Sequence, residues 1–372
     1  MKIGIICAPT YGGSGVVATE LGRFLARRGH KVHVISTAMP FRLDAEPESE
    51  IFFHEVQSVN YPVLPGDLSG ISIAGKTIQV AQDYGLEIIH AHYAIPHAIS
   101  AWLARETTPN ARFRVVTTLH GTDITLVGRA PTFFPIARFA IEHSDAVTTV
   151  SNWLRDETVR EFGITNPIHV IPNFVDASKF KRGLSPCRKG HYAPKGEKIL
   201  MHMSNFRPVK RVQDVIRVFH RVQQEIPAKL LMIGDGPERD SAYMLAKELQ
   251  IGQHVYFLGK QEHIETFLSC SDLMLFPSEY ESFGLAALEA MSAEMVVVAS
   301  RGGGLPDLIE DGVDGYLADV GDVETMARKA LEALRDDQRR VNMGRAARLK
   351  AQSQYLPEII VPQYERLYES VL

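Results

Sequence analysis

The sequence predicts an α/β protein made of two similarly built halves, each a parallel sheet covered by helices on both faces. Three observations carry this. Short aliphatic, β-branched runs alternate with helical stretches along the chain, the pattern of a parallel sheet. That rhythm breaks once, over 173–198, where FKRGLSPCRKGHYAPKGEK is basic, holds Pro and Gly and lacks periodicity. A length of 372 residues suits two domains of roughly 100–200 residues each.

The elements follow in order. Residues 2–7 read as a buried strand. The glycine turn 12–15 leads into a helix over 16–28, which Gly29 ends, and 31–36 forms the next strand. Further strands fall at 51–56, 87–91, 114–119, 146–150 and 169–171. After the linker, strands are expected at 198–203, 228–233, 255–258, 273–276, 296–299 and 315–318, with helices between them. Apolar residues at Ile359, Ile360, Val361, Leu367, Tyr368 and Val371 make the last stretch a terminal helix crossing back over both halves. The expected domains are 1–172 with 357–372, and 173–356. Open parallel sheets bind ligands beyond the carboxyl ends of their strands. Two such sheets facing each other would enclose a cleft lined by strand-end loops.

Composition narrows the function classes. A hydrophobic fraction of 45% and a charged fraction of 23% are ordinary for a globular protein. A net charge of −4 gives no basis for nucleic-acid binding. Cys7, Cys187 and Cys270 lie far apart and form no metal-spaced pair, which suits a reducing cytoplasm. The start, MKIGIICAP, lacks the long apolar core of a signal peptide, and no apolar run approaches the ~18 residues of a spanning helix. The expected setting is cytoplasmic, with no membrane partner, no metal and no cofactor.

The second half carries the most specific signal. Glu281 and Glu289 bracket seven residues that open a helix, with Gly284 at the turn into it. A helix start offers free N–H groups and partial positive charge, which suits a phosphate. Carboxylates touching that phosphate would repel it. They make better sense holding hydroxyl groups on either side, the outline of a nucleotide sugar. Eight residues along a helix axis span about 12 Å, whereas a retaining glycosidase needs its carboxylates about 5 Å apart. That spacing weakens a hydrolase reading. The run Ser204-Asn205-Phe206-Arg207-Pro208-Val209-Lys210-Arg211 places three cations at a strand–helix turn, where they oppose the helix dipole. A diphosphate would justify them; a solvated patch is the alternative. Gly234 ends a strand and permits close approach of backbone to ligand. Gln261 follows another strand, where backbone groups could hold a base.

The first half is polar at its strand ends. Gly13-Ser14-Gly15-Val16-Val17-Ala18 matches the dinucleotide fingerprint G-x-G-x-x-A, but the second strand ends in Ser36 and Thr37 without the acidic residue a ribose needs. The loop is therefore read as presenting N–H groups to an anion, or as a tight turn alone. His90 and His92 share one strand face. They form either a zinc site, for which no carboxylate or Cys stands at ligand spacing, or the polar lining of a cleft. Tyr93 offers a hydroxyl at the mouth. Thr118 and His120 end another strand and can bind hydroxyls; His120 can instead be a core histidine, and Thr122 or Asp123 a helix cap.

Together, HGTD at 120–123, RPVK at 207–210 and E-x7-E within PSEYESFGLAALEAM resemble the retaining GT4 glycosyltransferases of GT-B fold, with two facing Rossmann-like domains. The resemblance covers essentially the whole chain. Within that family, CAPTYGGSGVVATELG, VNYPVLPG and HAHYAIPHA are similar to the branch that serves bacillithiol synthesis. The resemblance implies UDP-N-acetylglucosamine as donor, L-malate as acceptor, retention of configuration and no metal. It implies that Glu289 binds the ribose, Glu281 the sugar hydroxyls, and the backbone of Phe283, Gly284 and Leu285 the diphosphate. Lys210 with Arg207 would neutralise the departing phosphate, and His120 would touch the sugar. Gly15, Asn205, Gly234 and Gln261 complete the expected donor side; Asn205 stands where relatives often carry arginine. Malate is a dianion, so Arg138 or Arg129 is expected near it, with Ser14, Asn60, Tyr93 and Thr118 as neutral partners. Three other readings stay open: another small polar acceptor, a UDP-sugar epimerase, and a non-catalytic sugar-nucleotide sensor. A homodimer is compatible with the sequence and not specified by it.

Overall fold

The computed structural model describes residues 1–9, 12–40, 43, 50–57, 68–183 and 189–372. The chain divides into two units, Met1–Asn173 with Pro357–Leu372, and Phe174–Leu356. Among the described residues the first unit holds strands β1 (Lys2–Ile6), β2 (Lys31–Ser36), β3 (Ile51–Glu55), β4 (Ile88–His92), β5 (Arg114–Leu119), β6 (Ala146–Thr149) and β7 (Ile168–Val170). They pair in the order β3-β2-β1-β4-β5-β6-β7, all parallel. The second unit holds β8 (Lys198–Met203), β9 (Ala228–Ile233), β10 (Val255–Gly259), β11 (Leu273–Phe276), β12 (Val296–Ser300) and β13 (Tyr316–Ala318). Their order is β10-β9-β8-β11-β12-β13, again all parallel.

The predicted α/β class is what forms, and its physical basis is burial on both sheet faces. Every residue of β4, β11 and β12 is buried, which is why β11 and most of β12 read as continuous apolar runs rather than alternating ones. In the second unit the helix Val212–Glu225 turns Val212, Val215, Ile216, Phe219 and Val222 inward at helical spacing. They pack with Leu200, Leu230 and Met232 of the sheet, each full burial contributing roughly 1.5–3 kcal/mol. Strand order reverses between β1 and β4 and between β8 and β11. At such switch points the strand-end loops diverge and leave a crevice.

Two expectations need correction. The stretch 173–198 is not a free linker throughout. Phe174, Val175 and Phe180 are buried, the Val175 N–H donates to the Tyr355 carbonyl, and the Phe180 carbonyl accepts from Ser292 Oγ and Arg348. Its apolar residues tie it into the second unit. The terminal helix, Pro357–Val371, lies in the first unit, where the expected division placed it: Tyr364 and Tyr368 are buried, and Glu365 pairs with Arg28 and His30 at 2.7 and 2.9 Å. The cysteine reading also changes. Cys7 is a free, buried thiol pushed up to about 12 by desolvation, whereas Cys270 is disulfide-bonded. Wide spacing in sequence did not exclude a bridge, so cysteine usage no longer argues for a reducing compartment. Among the described residues no helix is long and apolar enough to cross a membrane.

Candidate functional site

In the first unit the switch point between β1 and β4 brings Ser14 to Tyr93. Ser14 is buried in the first turn of the helix Gly13–Arg27, beside Gly15. Tyr93 follows β4 with φ of 93°, a region that side-chain-bearing residues rarely occupy. Its hydroxyl donates to Ser14 Oγ at 2.6 Å, tying the two loops together. β5 runs beside β4 and delivers Thr118 and His120. Thr118 is fully buried, its hydroxyl 2.7 Å from His90 Nε2 and 2.6 Å from Thr148 Oγ1, and its carbonyl accepts the Tyr93 N–H at 2.9 Å. The side chain therefore lies inside the unit, beneath the loop. His120 is partly buried, its Nε2 2.9 Å from His92 Nδ1, with the Tyr93 ring edge-on at 5.3 Å.

Neither Thr122 nor Asp123 is the expected helix cap. The short helix Thr122–Thr125 begins after Gly121, at φ of 110°, with no side-chain cap. Asp123 Oδ1 instead accepts from the backbone of His120 and Gly121, and Oδ2 accepts the Ala94 N–H at 3.0 Å. The carboxylate thus joins the loop after β4 to the loop after β5. Burial pushes it up to about 6 against the pull of those N–H groups. The arginines expected at the acceptor are already paired. Arg138 is exposed and held by Glu142 at 2.9 Å, Arg129 is paired with Glu157 and Glu161, and Asn60 lies outside the described residues.

In the second unit the switch point between β8 and β11 joins Lys210 to Glu281. Pro208–Lys210 forms one tight turn after β8, and the Glu279 N–H, in the loop after β11, donates to the Val209 carbonyl at 2.7 Å. Lys210 Nζ lies 2.5 Å from Glu281 Oε1, and Ser278 Oγ donates to the same oxygen at 2.7 Å. Ser278 was not anticipated; only the fold brings it here. Glu281 does not lie on the helix. It pairs with Gly303 in an isolated bridge, and the helix spans Leu285–Ser292. The helix-rise separation from Glu289 therefore does not apply. Gly284 starts the helix at φ of 94°, which breaks helical geometry between the two glutamates. Glu289 is buried on that helix, and Phe283 is buried against Tyr355 with ring centroids 5.7 Å apart. Asn205 and Arg207 are exposed on the loop after β8. Arg211 is held by Asp214 at 2.6 Å, which offsets its unfavourable place at a helix start. Gly234 has φ of 117° and hydrogen-bonds through its N–H to the Gly259 carbonyl at 2.8 Å. Gln261 Nε2 donates to the Leu258 carbonyl at 2.6 Å. Among the described residues no group of three or more His, Cys, Asp or Glu is placed to hold a metal, and both ring nitrogens of His90 are engaged, by Tyr368 and Thr118.

A cation, a carboxylate and a helix start at one switch point suit an anionic group flanked by hydroxyls. Known proteins are built from the same two halves. Residues 11–179 match the family described as Glycosyltransferase Family 4, and residues 187–350 match Glycosyl transferases group 1. Over its whole length the chain is 46% identical to N-acetyl-alpha-D-glucosaminyl L-malate synthase of Bacillus anthracis, covering 97% of that protein. The chain belongs to the family 4 glycosyltransferases. This glycosyltransferase is also 25% identical, over 74% of its length and 75% of the relative's, to a GDP-mannose-dependent alpha-(1-6)-phosphatidylinositol monomannoside mannosyltransferase of Mycolicibacterium smegmatis. Among solved structures it matches Anabaena Alr3699/HepE in complex with UDP and glucose, with a TM-score of 0.86, 21% identity and full coverage of both chains. Sucrose-phosphate synthase from Thermosynechococcus elongatus matches with a TM-score of 0.83 and 21% identity, over 100% of this chain and 99% of that one. These likenesses show the fold, two Rossmann-like units of the GT-B class.

The glycosyltransferase keeps several imidazoles neutral by burial. Desolvation lowers His90 and His120 to about 3 and His202 to about 4, and holds His92 well below its ordinary value. Their folded values lie below the unfolded 6.5, so their full stabilising contribution is present above pH 6.5. Below that, the unfolded chain takes up protons that the folded rings refuse. Stability then falls by up to about 1.4 kcal/mol per pH unit for each ring, down to the folded values. Asp123, raised to about 6, acts in the opposite sense between its ordinary 3.8 and 6, and one group does not cancel four. The melting temperature of the glycosyltransferase is expected to fall steadily from pH 6.5 to pH 4, with a shallower slope in His202→Gln. A flat profile across that window contradicts this account.

Proposed function

We propose that this glycosyltransferase moves N-acetylglucosamine from UDP-N-acetylglucosamine to the hydroxyl of L-malate with retention, the first step of bacillithiol synthesis, in the cytoplasm. The observation that carries this reading is the full-length identity of 46% to a synthase named for that product. The two clusters support it. Glu289 holds the ribose, and the helix start at Gly284, with the backbone of Phe283 and Leu285, receives the diphosphate. Lys210 and Arg207 supply charge fixed in advance for the leaving group, and in many enzymes such charge accounts for most of the acceleration. An ammonium has three N–H donors, so Lys210 can keep Glu281 and still reach a phosphate oxygen. With Lys210 and Ser278 sharing Oε1, Glu281 offers Oε2 to sugar hydroxyls.

The malate hydroxyl attacks the anomeric carbon on the face from which UDP departs. The new C–O bond forms as the bond to the phosphate oxygen breaks, and a phosphate oxygen takes the hydroxyl proton. No protein nucleophile and no metal is required. Malate's carboxylates meet the start of the helix Gly13–Arg27 and Asn60, and Arg138 exchanges its Glu142 partner for them, with Ser14 and Tyr93 as hydroxyl partners and Thr118 bracing Tyr93 from beneath. UDP-N-acetylglucosamine with L-malate should yield a product of the mass of N-acetylglucosaminyl malate with the α configuration by NMR. UDP release with inositol phosphate but not malate would replace the acceptor. Conversion of donor with no acceptor present would replace transfer by epimerisation.

A further inference from the structure

Two imidazoles of the first unit share one hydrogen bond. His92 Nδ1 and His120 Nε2 lie 2.9 Å apart, with the rings stacked at 20°. Burial keeps both rings neutral, so each carries one proton. One proton must lie between the facing nitrogens, which leaves two arrangements. In the first, His92 donates from Nδ1, its Nε2 is bare, and His120 carries its own proton on Nδ1. In the second, His120 donates from Nε2, and His92 carries its proton on Nε2.

His92 Nε2 decides between them. It is buried with no hydrogen-bond partner. The nearby His90 ring, 4.4 Å away, offers it no acceptor because both His90 nitrogens are engaged. An orphaned buried N–H is rarer and costlier than a bare ring nitrogen. The first arrangement therefore holds. His92 itself is anchored, since its carbonyl accepts from His97 Nδ1.

We propose that His92 is a positioning residue that holds His120 as the Nδ1–H tautomer, making His120 a hydrogen-bond donor to a ligand oxygen. This rests on the reading that places His120 at the donor sugar, and it names the chemistry of that contact: a lone pair on a hydroxyl or carbonyl oxygen of the sugar. His92 acts only through His120.

The test is direct. In histidine-15N-labelled protein without ligand, long-range proton–nitrogen spectra separate the two tautomers, and His120→Gln identifies the His120 signals. Protonation on Nδ1 is expected; protonation on Nε2 overturns the proposal. His92→Asn keeps an N–H in the place of Nδ1–H, whereas His92→Phe keeps a ring without it. The Asn variant should retain the tautomer and stay within about 3-fold of parental kcat, while the Phe variant mixes tautomers and loses about 10–100-fold. Equal losses in both variants also overturn the proposal. If malate proves the wrong acceptor, the tautomer of the ligand-free protein is unaffected, so the two failures are told apart.

Discussion

Lys210→Ala lowers the rate of transfer by about 100- to 1000-fold, the scale seen when a group that stabilises developing charge is removed. On the proposed function the variant has two defects. The leaving phosphate loses its nearest fixed ammonium. Glu281, which shares Oε1 with Lys210 at 2.5 Å, loses its counter-ion and faces the phosphate as a bare carboxylate. The second defect makes the loss larger than a missing contact alone. It also makes the effects of the two residues non-additive. Adding Glu281→Gln to Lys210→Ala should restore part of the rate, and a double-mutant cycle measures that coupling. The fold should survive, because Lys210 sits on a turn rather than in the core, and Ser278 still donates to Glu281. Steady-state kinetics with circular-dichroism melting checks both halves. Near-normal turnover in a folded Lys210→Ala protein would remove the phosphate role.

Gly234→Ala destabilises the second unit by on the order of 3 kcal/mol, through strained backbone and overpacking together. The φ of 117° is one that only glycine adopts readily. An added Cβ would stand 1.8 Å from the Ser204 carbonyl oxygen and 3.0 Å from its carbon. Neither atom can give way cheaply. Ser204 continues β8, and its N–H donates to the Ile233 carbonyl at 3.1 Å, next to Gly234 itself. Relief must come from moving the loop after β8, which carries Arg207 and Lys210. A melting temperature lower by about 6–12 °C is therefore expected, together with weaker UDP binding by calorimetry. An unchanged melting temperature would mean that the close approach of these two loops is not maintained in solution.

The strands were legible because parallel sheets are buried on both faces, so most of their strands are rich in apolar and β-branched residues whatever their neighbours. The same runs say nothing about strand order. The reversals at β1/β4 and β8/β11 decide which loops become neighbours. Tyr93 and Ser14, Lys210 and Glu281, and His90 and Tyr368 are joined across 79, 71 and 278 positions. The motifs flagged most of these residues singly. They did not pair them, and they passed over Ser278 and the work of Asp123 on two loops. The spacing of Glu281 and Glu289 misled in a specific way. An eight-residue interval fits a helix, but Gly284 adopts a left-handed conformation and starts the helix late, so only Glu289 rides on it.

By itself, then, the sequence determined the two-sheet α/β class, the chemistry gathered at strand ends and, through its resemblance, the glycosyltransferase family. Those properties depend on local pattern and on residue type. The tertiary structure alone decided which side chains meet, which hydroxyls and carboxylates are already engaged, and that Tyr368 and Glu365 are the side chains tying the terminal helix to the first unit. Such pairings are set by long-range packing, in which each partner's position depends on every layer between them, and no window along the chain records it.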